Sequence, residues 1–239
     1  MKKTLGLLAM VLGAAIAAPP LRAQESGDCL ECHADRTLET RRDGQAVSLH
    51  VDAGKISASI HGSLSCTGCH ADLSGTEYPH PVPAGKVDCG ACHEEIGKLF
   101  AGDLHGKAGA RGDELAPRCR DCHGEHDILP VRDPASAVAP LRIPFVCGRC
   151  HREGAPVARR REIHQTRILE NYTESIHGEG LLKKGLIVTA TCASCHSPHQ
   201  ILPHTDPRSS IARGNIAATC TKCHAQIEVV HRKIIRGEM

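Results

Sequence analysis

The 239 residues contain no Trp, two Phe and two Tyr. So few large side chains cannot fill an ordinary hydrophobic core for a chain of this length. Methionine is as scarce: Met1, Met10 and Met239 are the three present, and the first two sit in the leader-like N-terminus. Neither a nucleotide-binding glycine loop nor a nucleophile triad motif occurs, which leaves nucleotide-dependent and acyl-transfer chemistry without a motif. Charge of one sign is missing too, with 29 Lys and Arg against 27 Asp and Glu, so the chain has no basic excess for nucleic acid.

Cysteine and histidine are abundant instead. Cys-x-x-Cys-His occurs seven times, at Cys29–Cys32–His33, Cys66–Cys69–His70, Cys89–Cys92–His93, Cys119–Cys122–His123, Cys147–Cys150–His151, Cys192–Cys195–His196 and Cys220–Cys223–His224. These motifs use all 14 cysteines and leave none for a disulfide. Two thiols that add to haem vinyl groups, followed by a histidine for the iron, are the signature of c-type haem attachment. Paired Cys-x-x-Cys units also build zinc ribbons. Zinc has no use for a histidine directly after every pair, and with 17 His in the chain seven coincidences have a chance of roughly one in a hundred million at the base rate of composition. The sequence therefore predicts seven covalently bound haem c groups.

A haem-cored fold accounts for the missing aromatics. We expect a mainly irregular chain with short α-helices wrapped around a row of stacked haems, with very little β-structure. Lys2 and Lys3, the apolar run Leu5 to Ala18, and Ala23 before Gln24 read as a signal peptide over 1–23, cleaved or kept as an anchor. Export to a periplasm is the expected fate, because haem is attached outside the cytoplasm and there the thiols would otherwise oxidise. Loss of Lys2, Lys3 and Arg22 leaves one net negative charge. Fourteen propionates, partly offset by seven ferric centres, take the holoprotein to about −8, which suits a partner with a basic docking patch.

The chain repeats itself. His105-Gly106, Cys119–His123, His126, Ile128-Leu129-Pro130, Asp133-Pro134, Ser136 and Cys147–His151 recur as His177-Gly178, Cys192–His196, His199, Ile201-Leu202-Pro203, Asp206-Pro207, Ser209 and Cys220–His224. We divide the mature chain into a trihaem segment over 24–104 and dihaem repeats over 105–176 and 177–239, forming one continuous haem-cored unit. The first segment shares Ser59-Ile60-His61-Gly62 with Ser175-Ile176-His177-Gly178. Helices are expected over 94–104, ending at Gly106, over 156–177, ending at Gly178, and over 225–236, with Gly as C-cap. In the second, His164 and His177 would lie on nearly opposite faces of one helix.

Seven irons need seven more ligands, and methionine is not available to supply them. Bis-His ligation and low potentials follow. The candidate distal ligands are His61, His80, His105, His126, His164, His177, His199 and His231; His50 and His204 read as solvated surface residues. His199 lies three residues past His196 with Pro198 between. So short a link cannot carry it round its own haem, so it must ligate a neighbour, and His126 likewise.

The order Ser-Ile-His-Gly, Cys-x-x-Cys-His-x-x-His-x-Ile-Leu-Pro, Cys-x-x-Cys-His resembles the class III-like multihaem c-type cytochromes, including periplasmic cytochromes associated with anaerobic respiration. The resemblance covers residues 29 to 237. It implies electron transfer between a membrane-bound cytochrome b-type or other quinol-linked oxidoreductase and further periplasmic redox proteins, with no substrate chemistry and no catalytic residue. The alternatives are a multihaem reductase of nitrite, hydroxylamine or a sulfur oxyanion at one open haem, and a subunit of a haem filament. A reductase iron needs an open position, and some multihaem nitrite reductases mark it with Lys in place of the motif His; here every motif ends in His.

Overall fold

The computed structural model describes residues 26–80, 83–160 and 165–224. The leader, the helix expected over 225–236, and both His164 and His231 lie outside the described residues. Among the described residues the helices are short: α1 Ser26–His33, α2 Ala53–Ala58, α3 Cys66–Cys69, α4 Glu94–Ala101, α5 Leu104–Ala110, α6 Cys119–His123, α7 Ile143–Gly148, α8 Pro156–Arg160, α9 Ile168–Thr173, α10 Ile176–Leu182, α11 Cys192–His196 and α12 Ile216–Thr221. The rest is turns and irregular chain, apart from one hairpin of β1 Glu39–Arg42 and β2 Gln45–Ser48. Asp43-Gly44 turns that hairpin with both residues at positive φ, 50° and 79°, as a two-residue loop requires. Short α-helices, irregular chain and very little β-structure, as expected above, are observed.

Two expected helices are shorter than their sequence signals. The segment 94–104 stops at Ala101, because Asp103 caps a new helix by accepting from Gly106 N at 2.8 Å. The segment 156–177 divides into α8, α9 and α10, with Ser175 accepting from Gly178 N at 3.2 Å to start the last. His164 and His177 therefore do not share one helix, and the opposite-faces argument falls with it. Nor are Gly106 and Gly178 C-caps. Each lies in the first turn of its helix, where the end of the preceding helix passes so close that a Cβ would strike the carbonyl oxygen of Phe100 or Tyr172. At Gly62 a Cβ would sit 2.6 Å from the carbonyl oxygen of Ser57. Close backbone approach is the reason for glycine after all three of these histidines.

The conserved-looking Ile-Leu-Pro segments are the seams between units. Ile60 N donates to Ile128 O at 2.8 Å, and Ser59 Oγ to the same oxygen at 3.0 Å. One unit along, Leu104 N donates to Ile201 O at 2.9 Å, and Ile201 N donates back to Asp103 Oδ2 at 3.2 Å. Within each unit the next carbonyl is satisfied locally: Ser136 Oγ donates to Leu129 O at 3.2 Å and Ser209 Oγ to Leu202 O at 3.1 Å. Both serines are buried. The repeat thus writes the same four groups twice because it builds the same seam twice.

The chain's own side chains do little to hold this together. Among the described residues the buried apolar side chains are Ala139, Ala155, Leu181, Leu202 and Ala212. A cytoplasmic apoprotein, made without haem attachment, should therefore show no cooperative thermal transition by circular dichroism, whereas the exported holoprotein should melt cooperatively. Asp103 is fully buried and serves two backbone donors across a seam. Asp103→Ala should cost about 2–4 kcal/mol, read as a lowered melting midpoint of the holoprotein, with Asp103→Asn recovering part of it.

Candidate metal centres

Each motif occupies a single helical or 3-10 turn. In a turn, positions i, i+3 and i+4 share one face, so both thiols and the histidine of a motif point the same way. Ser65 and Asp88 cap the Cys66 and Cys89 turns through their side chains, and Thr191 and Ser194 form a capping box over Cys192. The cysteines are free thiols.

Six of the seven motif histidines face a histidine from outside the motifs. Ring centres are 6.2 Å apart for His33 and His80, 6.0 Å for His61 and His93, and 6.3 Å for His70 and His126. They are 6.1 Å apart for His105 and His151, 5.8 Å for His123 and His199, and 5.9 Å for His177 and His224. Ordinary aromatic pairs also fall in this broad range, but three features set these apart. Every pair joins one motif histidine to one other. The separation stays between 5.8 and 6.3 Å while the interplanar angle runs from 10° to 68°. Two imidazoles on opposite sides of one metal, each with nitrogen about 2 Å from it, have ring centres about 6.2 Å apart. The residues therefore fit a bis-His iron at each pair.

The chemistry of the donors agrees. Burial holds the pKa of His70, His105, His123, His151 and His196 below the ordinary histidine value, so these rings are neutral near pH 7, as a metal ligand must be. His33 Nδ1 lies 2.8 Å from Leu49 O. A carbonyl can only accept, so Nδ1 carries the proton and Nε2 is left with a free lone pair. The buried Nδ1 atoms of His70 and His151 have no protein partner. Among the described residues no group of three or more His, Cys, Asp or Glu could hold a metal, so a metal between any of these pairs would find two protein ligands and would need the rest from a cofactor.

The centres come in close couples. The first cysteines of successive motifs lie close together in three cases, Cys29 near Cys66, Cys89 near Cys119, and Cys147 near Cys192. Cys66 N donates to Ser26 Oγ at 3.3 Å, Arg149 donates to Asp121 O, and Ser210 donates to Cys195 O at 2.5 Å. These bonds bring together the first and second, the fourth and fifth, and the sixth and seventh motif regions.

Among the eight distal candidates the structure brings His61, His80, His105, His126, His177 and His199 to a motif histidine; His164 and His231 lie outside the described residues. His204 is exposed. His50 is half-buried instead of fully solvated, lining a cavity of about 360 Å³ with Arg36, Lys55 and His126. Sequence alone did not say which histidine serves which motif, nor that Asp103 and the Ile128 and Ile201 carbonyls set their positions. Against family models, curated proteins and solved structures, the chain gives no match.

Because His199 faces His123, removing it should open the centre of the Cys119 motif and leave the Cys192 motif intact. Spin counting by EPR tests this. His199→Ala should lose one low-spin iron, His123→Ala/His199→Ala still only one, and His151→Ala/His199→Ala two, because His151 belongs to a separate pair with His105. Loss of two in the His123→Ala/His199→Ala variant would refute the pairing.

Proposed function

We propose that this protein is an exported, periplasmic heptahaem c-type cytochrome that passes electrons between a quinol-linked membrane oxidoreductase, such as a cytochrome b-type enzyme, and other redox proteins. The observation that carries the reading is the set of six motif-to-spare histidine pairs at 5.8–6.3 Å. Haem supplies one-electron exchange when bound. The chain's part is to anchor through paired thiols, to fill both axial positions with neutral imidazole, and to keep successive centres close. Filling both positions blocks substrate binding, which suits a carrier better than a reductase. Imidazole on both sides, with no thioether, favours low potentials.

One observation favours the reductase alternative: among the described residues no ring faces His196. If that position were catalytic, it would need a proton donor and an exchangeable sixth site.

The holoprotein should carry seven covalent haems by intact mass and pyridine haemochrome. Six irons should be ferric low-spin, and those six should take up neither cyanide nor nitric oxide. Reduction by a low-potential donor should be fast, and nitrite, hydroxylamine and thiosulfate should not turn over. Fewer than seven haems under full maturation, or steady turnover of any of these substrates, would count against the carrier reading.

A further inference from the structure

The six pairs obey one rule. A His-Gly histidine serves the second motif that follows it: His61 serves His93, His105 serves His151 and His177 serves His224. A histidine three residues past the fourth or the sixth motif instead serves the motif two before. His126 serves His70 and His199 serves His123. His80, past the second motif, also reaches back, to His33 of the first. Carried forward one step, the rule asks for a donor to His196 from a unit after the second dihaem repeat.

The seams stop at the same place. Ile60 N and Leu104 N each donate to the isoleucine carbonyl of the following unit. The corresponding group is Ile176 N, and among the described residues it has no acceptor. Ile176 is 72% exposed, more than Ile60 at 60% or Leu104 at 47%, its two counterparts in closed seams. Among the described residues the last unit thus has no ring opposite His196 and no acceptor for Ile176 N, and in both closed seams one His-x-Ile-Leu-Pro segment supplies both groups. The remaining histidines fit poorly. The donors that follow this rule lie 47, 56 and 76 residues after the motif histidine they serve, whereas His231 lies 35 after His196 and His164 lies 32 before it.

We propose that the face formed by Ile176 and the His196 centre is a docking surface for a further haem-bearing unit of the same design. Its occupant presents Cys-x-x-Cys-His-x-x-His-x-Ile-Leu-Pro, whose second histidine completes the His196 centre and whose isoleucine carbonyl accepts from Ile176 N. The surface continues the two seams already built between units. A second copy of this chain is a poorer occupant, because its own His126, His199 and His80 segments are already engaged. The proposal rests on the bis-His reading of the six pairs.

The test uses the seven-haem protein, imidazole, and a synthetic peptide spanning Ser197–Asp206. One iron of seven should be high-spin, or become low-spin on taking up a single imidazole, and His164→Ala and His231→Ala should leave it unchanged. The peptide should convert that iron at least tenfold more tightly than a His199→Ala peptide. Ile176→Pro keeps the helix start, since proline is tolerated at its first position after an extended Ser175. That variant should weaken the peptide at least fivefold and leave imidazole uptake alone. If seven irons are low-spin and one is lost in His164→Ala or His231→Ala, the chain closes its own site and the proposal fails. A peptide insensitive to Ile176→Pro also overturns it. Loss of low-spin character at the other six irons would instead overturn the bis-His reading itself.

Discussion

One constraint organises this chain: every histidine pair joins segments far apart in sequence, and in two of the six the rings come from different units of the ladder. A motif turn can offer a single imidazole, and three residues of chain cannot reach the far side of the same macrocycle. The second imidazole must therefore come from elsewhere, and each ligation becomes a tertiary contact. His126 opposite His70 and His199 opposite His123 each tie one unit to the one before. With five buried apolar side chains among the described residues, no ordinary core competes with these ties as the source of order.

The hydrogen-bonded seams explain how short, weak helices can place rings to within half an ångström of one another in spacing. An isolated helix of five to eight residues is unstable in water, so α5 and α10 cannot position His105 and His177 alone. Asp103 and Ser175 cap them, and Gly106 and Gly178 let the preceding helix press against their first turns. Asp103 then reaches across the seam to Ile201. Each contact contributes about 1 kcal/mol net, and their value lies in direction. They fix where the imidazole sits before any bond to a metal forms. The architecture resembles a solenoid in its logic, since each unit touches its neighbours and little else.

Much of the site was legible in the sequence, because thiol pairs, the adjacent histidine and the missing methionine are composition and spacing. The argument that His199 must serve another centre needed only the length of three residues. The pairing itself was not legible, since it depends on which segments meet across a seam. The helix ends were misread for a related reason. Glycine after histidine looks like a C-cap, yet at Gly62, Gly106 and Gly178 the demand comes from a neighbouring backbone, which no local pattern reveals. The β1–β2 hairpin has its local signal in Asp43-Gly44, and it is the very little β-structure that was expected.

The alternation in the pairing also bears on how far apart the centres sit. A donor three residues from a motif histidine holds two centres at a separation set by a few rigid bonds, with Pro198 stiffening one such link. The first cysteines of three motif couples also lie side by side, which brings further motif turns together. Hydrogen bonds join the first motif region to the second through Ser26, the fourth to the fifth through Arg149, and the sixth to the seventh through Ser210. In the proposed function these joints keep successive centres close, and no intervening aromatic residue is required between them. Scarcity of Trp, Tyr and Phe then follows from the design: the cofactors provide both the core and the route, and the chain needs only short turns that aim histidines.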